Sequence, residues 1–100
     1  MVARPEEAIE KRFVKKAEAL GITAHKFEVM GTKGAPDRMC MYQGKIWFIE
    51  FKRAGGGVLS HHQDQFIKDL MKNGFDARVY DNWEDAIQWS IKQMNKPFMG

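Results

Sequence analysis

The stretch Gly34-Ala35-Pro36-Asp37-Arg38-Met39-Cys40-Met41-Tyr42-Gln43-Gly44-Lys45-Ile46-Trp47-Phe48-Ile49-Glu50-Phe51-Lys52 decides the fold. Two apolar runs, 37–42 and 45–52, flank Gln43-Gly44, a short glycine-containing link of the kind that closes a β-hairpin. With Gln43 and Gly44 as the loop, Tyr42 pairs with Lys45 and Met41 with Ile46. Counting outward then sets Asp37 opposite Glu50. Opposed side chains on one face have Cβ atoms about 4.5–5.5 Å apart, where like charges destabilise a sheet unless something positive lies between them. Met39, Met41, Ile46 and Phe48 share the acids' face, so both carboxylates stand at the end of an apolar surface where desolvation strengthens their repulsion. Lys52 follows Glu50 by two residues and points to the same side of the strand.

Two acids and an ammonium in one small volume suit a hard divalent ion. Such an ion takes oxygen ligands, keeps waters, and lowers the pKa of a bound water toward that of a usable nucleophile, as phosphodiester hydrolysis needs. The bland alternatives are definite. Glu50-Phe51-Lys52 by itself is a spacing that charged residues produce by chance. A loop one residue longer would carry Asp37 off Glu50's face and leave it a turn residue after Pro36.

Outward from the hairpin, Ile9, Phe13, Ala17 and Leu20 recur at helical spacing over Glu6–Leu20, with Pro5 in the first turn and Gly21 at the stop. Ile22–Met30 reads as a strand that runs into the Gly31–Pro36 loop. Arg53-Ala54-Gly55-Gly56-Gly57 is a linker, and Phe66, Ile67, Leu70 and Met71 mark a second helix over Ser60–Asn73. A strand over Asp76–Tyr80 and a helix from Trp83 to about Met94, opened by Asp81-x-x-Glu84, complete the order α-β-β-β-α-β-α. Trp83, Ile87, Trp89, Ile91 and Met94 exceed one narrow apolar stripe and are candidates for an interface.

Composition sets the class. The chain has 100 residues, of which 44% are hydrophobic and 29% charged, as expected of one globular domain over 1–100 rather than a disordered chain. No apolar run approaches the roughly 18 residues of a membrane span. Met1–Glu7 lacks the apolar stretch of a secretory leader, so a cytoplasmic location is expected. The single Cys40 excludes an internal disulfide and a thiolate zinc site. Sixteen Lys and Arg against thirteen Asp and Glu give a net charge of +3, which suits a polyanionic partner.

Further candidates carry a structural reading beside the functional one. Glu10 borders the first helix's apolar stripe and Glu6 lies one turn earlier; either leans toward the sheet or serves as an N-terminal charge. Ser60 and Gln63 form an S-x-x-Q capping box, which explains both structurally. His61 and His62 diverge by about 100° on a helix, belong to no zinc spacing, and are expected in solvent. His25, Cys40 and the methionines of the hairpin are expected to pack. Lys26, Lys33, Arg38 and Arg53 flank the acidic end of the hairpin, where they are either phosphate contacts or a solvated surface.

Gly34-Ala35-Pro36-Asp37-Arg38, Ile49-Glu50-Phe51-Lys52 and Leu59-Ser60-x-x-Gln63 resemble, in order and spacing, the VRR-NUC (virus-type replication-repair nuclease) family of the PD-(D/E)xK superfamily. The resemblance implies an α/β (α+β) restriction-endonuclease-like core with a mixed central sheet flanked by helices. By it, Asp37 and Glu50 would bind catalytic Mg²⁺ or Mn²⁺ together with the Phe51 carbonyl. Lys52 would orient or activate the attacking water, and Gln63 would assist. The superfamily's first-helix acid, which would join the catalytic and metal-binding set, matches Glu10 best by its distance before Gly21, with Glu6 a competitor for that place. The implied activity is a structure-selective endonuclease on branched, Holliday-junction-like DNA, in viral or bacterial replication, recombination or repair. A homodimer is implied, and no small-molecule cofactor. The competing expectations are a noncatalytic DNA-binding module that recruits another enzyme, and an interaction protein in which the acids and Lys52 form only a salt-bridge network.

Overall fold

The computed structural model describes residues 5–97. The leader reading of the first four residues therefore lies outside the described residues. Helix α1 (Pro5–Ala19) precedes strands β1 (Thr23–Lys26), β2 (Arg38–Tyr42) and β3 (Lys45–Phe51), then α2 (His61–Lys72), β4 (Asp76–Tyr80) and α3 (Trp83–Met94). This is the expected α+β order. The sheet runs β1-β2-β3-β4, antiparallel across the first three strands and parallel between β3 and β4, with α2 making the crossover. Among the described residues no helix is long and apolar enough to cross a membrane.

The hairpin closes in the expected register, with Tyr42 opposite Lys45, Met41 opposite Ile46 and Arg38 opposite Ile49. Gln43 and Gly44 both take positive φ, 44° and 81°. That pairing is a type I′ turn, whose twist matches the strands it joins. Period-2 alternation then divides β3 between two cores. Trp47, Ile49 and Phe51 face α1 and α3 and pack with Phe13, Ala17, Ile22, Cys40, Ala86, Ile87 and Trp89. Phe48 faces α2 and packs with Ile67 and Ala77, against partly buried Phe27, Met39, Leu59 and Leu70. Cys40 is fully buried, and burial pushes its thiol up to about 12, as befits a packing residue.

Four expectations are corrected. The strand read over Ile22–Met30 is confined to Thr23–Lys26, whose last pair with β2 is Lys26 opposite Arg38. Phe27 N–H makes the next bond to the Asp37 carbonyl (3.1 Å), and residues 29–32 close a small turn of their own. Leu20, placed in the α1 stripe, lies past the helix end and is exposed. The cap of α3 is Asn82, whose side chain accepts from Asp85 N–H at 2.8 Å, and not Asp81, whose carboxylate accepts from Gly55 N–H. The apolar surplus of α3 is absorbed inside the chain. Ile87 and Trp89 are buried, and Trp83, Ile91 and Met94 pack against the same core, because α3 contacts α1 as well as the sheet.

Candidate active site

The site lies where the hairpin's open end meets the first turns of α1 and α2. Asp37 immediately precedes β2, and its Oδ2 accepts the Phe51 N–H at 2.8 Å, which ties it to the end of β3. Glu50, on the α2 face of β3, is 3% exposed. Its Oε2 accepts from Gln63 Nε2 at 3.1 Å and stands 3.5 Å from Lys52 Nζ. Its Oε1 is buried and, among the described residues, has no hydrogen-bond partner. Lys52 Nζ donates to Gln63 Oε1 at 2.8 Å, so ammonium, amide and carboxylate form a closed triangle.

Gln63 serves two purposes at once. The capping box is present as read: Ser60 Oγ accepts from Gln63 N–H at 3.1 Å, and Gln63 Oε1 accepts from Ser60 N–H at 3.0 Å. The same amide faces the acids, so the structural and site readings of Gln63 coexist. The close approach of the loop before Asp37 to this turn requires Gly34. It holds φ +89°, and a Cβ there would lie 2.4 Å from the His62 carbonyl carbon and oxygen and 2.7 Å from Gln63 N. His61 and His62 themselves are exposed, as expected.

Burial governs the acids' protonation. It pushes Glu50 from its ordinary 4.5 to about 7, and the charge of Asp37 adds to the rise while Lys52 opposes it. Asp37 is also raised, again chiefly by burial, against the lowering effect of its bond to Phe51 N–H.

Glu10 occupies a different position from the other two acids. It is buried on α1 and its Oε2 accepts from Arg38 Nε at 2.6 Å and Lys26 Nζ at 3.2 Å, while Arg38 Nη1 donates to the Ala24 carbonyl at 3.2 Å. Glu10, Glu6, Glu7, Lys26, Asp37, Glu50, Phe51, Lys52, Arg53 and Gln63 line one open cavity of about 510 Å³. Glu6 is half-buried there, so burial distinguishes Glu10 from its competitor. Two of the basic candidates lie elsewhere. Arg38 turns inward to Glu10, and Lys33 borders a separate groove with His62, Gln65 and Phe66. Alternation contained the signal for Arg38: next to Asp37 on a strand, it must face the opposite side. Sequence reasoning missed the glycines 56 and 57 that wall the cavity, since no spacing rule foretells the path of a linker.

The donor set fits a hard divalent ion with few protein ligands. Among the described residues no group of three or more His, Cys, Asp or Glu side chains is arranged to hold a metal. Two carboxylates supplemented by a carbonyl, waters and substrate phosphate are nevertheless a usual complement for Mg²⁺. Glu50 Oε1, buried and unpartnered among the described residues, is an acceptor that a cation or a proton would satisfy.

No family model matches the chain. Over 51 residues it is 41% identical to p44, named only as a candidate nuclease, of Acyrthosiphon pisum secondary endosymbiont phage 1; the match takes in 50% of this chain and 55% of that protein. The chain thus spans about half the length of that relative. A solved VRR_NUC domain superposes with a TM-score of 0.80 at 27% identity, over 89% of this chain and 97% of that one. Motif order, fold and relatives therefore agree, and the chain is similar throughout to the VRR-NUC nuclease domains.

Proposed function

We propose that this chain is a divalent-metal-dependent endodeoxyribonuclease that hydrolyses phosphodiester bonds in branched, Holliday-junction-like DNA. The observation that carries the reading is half-buried Asp37 beside buried Glu50, with one Glu50 oxygen unpartnered among the described residues and Lys52 at 3.5 Å. Among the described residues Lys26 and Lys52 offset the two charges in part, and a buried carboxylate oxygen left without a hydrogen bond is costly without a use.

In this reading Asp37, Glu50 and the Phe51 carbonyl hold Mg²⁺ or Mn²⁺. The ion supplies Lewis-acid stabilisation of the phosphate and a lowered pKa for water. Lys52, held 2.8 Å from Gln63, orients the attacking water and places a positive charge where negative charge develops on the phosphoryl oxygens. Gln63 fixes both Lys52 and Glu50 through one amide. Glu10, the acid of the first helix, contributes negative charge beside Asp37 while anchoring Lys26 and Arg38. Lys26 and Arg53, on the cavity wall, contact flanking phosphates, which favours affinity over sequence preference. The protein works as a homodimer, one site per subunit, in the cytoplasm of a bacterial or phage-infected cell.

The test is cleavage of a labelled four-way junction beside a matched linear duplex, in Mg²⁺, Mn²⁺ and EDTA. Metal-dependent cutting of the junction is expected. Cutting of both substrates alike would remove the branch preference, and binding without cutting in any metal would make the chain a noncatalytic DNA-binding module.

A further inference from the structure

The glycine run after Lys52 folds back over that residue. Gly55 N–H donates to Asp81 Oδ2 at 3.2 Å, which pins the middle of the run to the segment after β4. Two residues later Gly57 lies flush on the lysine. A Cβ built there would be 2.4 Å from Lys52 Cβ and 2.9 Å from its Cγ and Cδ. Such separations are far inside van der Waals contact. The flexible end of the lysine cannot relieve the clash, because its nearest atom is Cβ. That atom is set by the backbone, and Lys52 N–H is bonded to the Tyr80 carbonyl at 2.9 Å. The neighbouring Gly56 is unlike it: a Cβ there meets only the end of Arg53, at 3.9 Å. Gly57 is outside the left-handed region, so contact alone, rather than backbone conformation, demands glycine.

We propose that Gly57 is a positioning residue, packed on the Lys52 stem so that the ammonium is held against Gln63 and Glu50. The inference rests on the nuclease reading for its catalytic consequence, but the packing stands apart from it. The linker then acts as a strap, tied at Asp81 and pressing at Gly57, that restricts the rotamers of a side chain otherwise free about four bonds. A displaced ammonium loses alignment with the reacting phosphate, and an error near 1 Å costs about 10²-fold in rate.

The test compares Gly57→Ala with Ala54→Gly, a change in the same linker outside the cavity lining, in the full chain, by steady-state DNA cleavage and by the acetylation rate of each lysine read by mass spectrometry. Gly57→Ala is expected to lower kcat about tenfold or more, leave KM within about twofold, and raise the acetylation rate of Lys52 alone, with the circular dichroism spectrum kept and melting lowered as the linker shifts to clear the contact. Ala54→Gly, which loosens the linker without touching Lys52, is expected to match wild type. Equal losses in both variants would assign the effect to loop flexibility and overturn the proposal, as would an unchanged Lys52 acetylation rate in Gly57→Ala. A wild-type chain that cuts no DNA would instead sink the nuclease reading, and the acetylation comparison would still decide the packing.

Discussion

Two like-charged pairs lie across adjacent strands of this sheet, and the chain treats them differently. Lys26 stands directly opposite Arg38 across β1 and β2, and Glu10 reaches between them with one oxygen on both. Their repulsion is relieved from within, and the group explains itself as structure. One step further along the hairpin register, Asp37 is tied to the Phe51 N–H, Glu50 to Gln63 and, at 3.5 Å, to Lys52, yet among the described residues one oxygen of Glu50 stays buried without a partner. A pair completed by its own fold needs no ligand. A pair left incomplete, in a cavity, invites one.

The largest effect expected is on chemistry. Lys52→Ala should lower cleavage by about 10²–10³-fold or more, the usual cost of removing a preorganised positive donor, while the circular dichroism spectrum is kept. Full activity in a folded Lys52→Ala protein would return the acidic pair to the same structural standing as the cationic one.

Next comes pH. Glu50 has a folded pKa raised above its unfolded value, so its contribution to stability is present in full below about 4.5 and is lost as pH rises through about 7. Metal-free protein should therefore lose on the order of 2–3 kcal/mol across that window, and Glu50→Gln should flatten the decline in urea melts followed from pH 5 to pH 8. An equal slope in the variant would assign the pH dependence to other groups.

On the cationic side the effects should be smaller. Glu10→Gln leaves Arg38 and Lys26 facing one another, and since Lys26 is largely solvated the loss should be about 1–2 kcal/mol in urea unfolding, below that of a fully buried pair. A loss above that range would mean that Arg38 has no solvent route for its charge. Lys26→Ala should cost less than about 1 kcal/mol in stability while reducing the salt dependence of DNA binding, measured by anisotropy at several ionic strengths.

How far the sequence foretold this contrast depends on the reach of each interaction. The hairpin register followed from a two-residue turn, because a short loop leaves no freedom to slip, and with it came the face shared by Asp37, Glu50 and Lys52. The capping box of Ser60 and Gln63 was likewise local. Arg38 was read as a phosphate contact although alternation turns it to α1, and its partner Glu10 lies 28 residues away. The apolar excess of α3 suggested a partner molecule because sequence does not reveal that a helix is flanked by both α1 and the sheet. Gly57 offered no signal, since its contact depends on a linker tied down by Asp81.

The contrast is tested most directly by adding Mn²⁺ to wild type, Asp37→Asn and Glu10→Gln without DNA and following thermal melting at pH 7.5. Melting should rise with Mn²⁺ in wild type and in Glu10→Gln, and stay fixed in Asp37→Asn, because only the incomplete pair binds the ion. A rise that survives Asp37→Asn, or no rise in wild type, would contradict the assignment of Asp37 and Glu50 as the metal-binding pair.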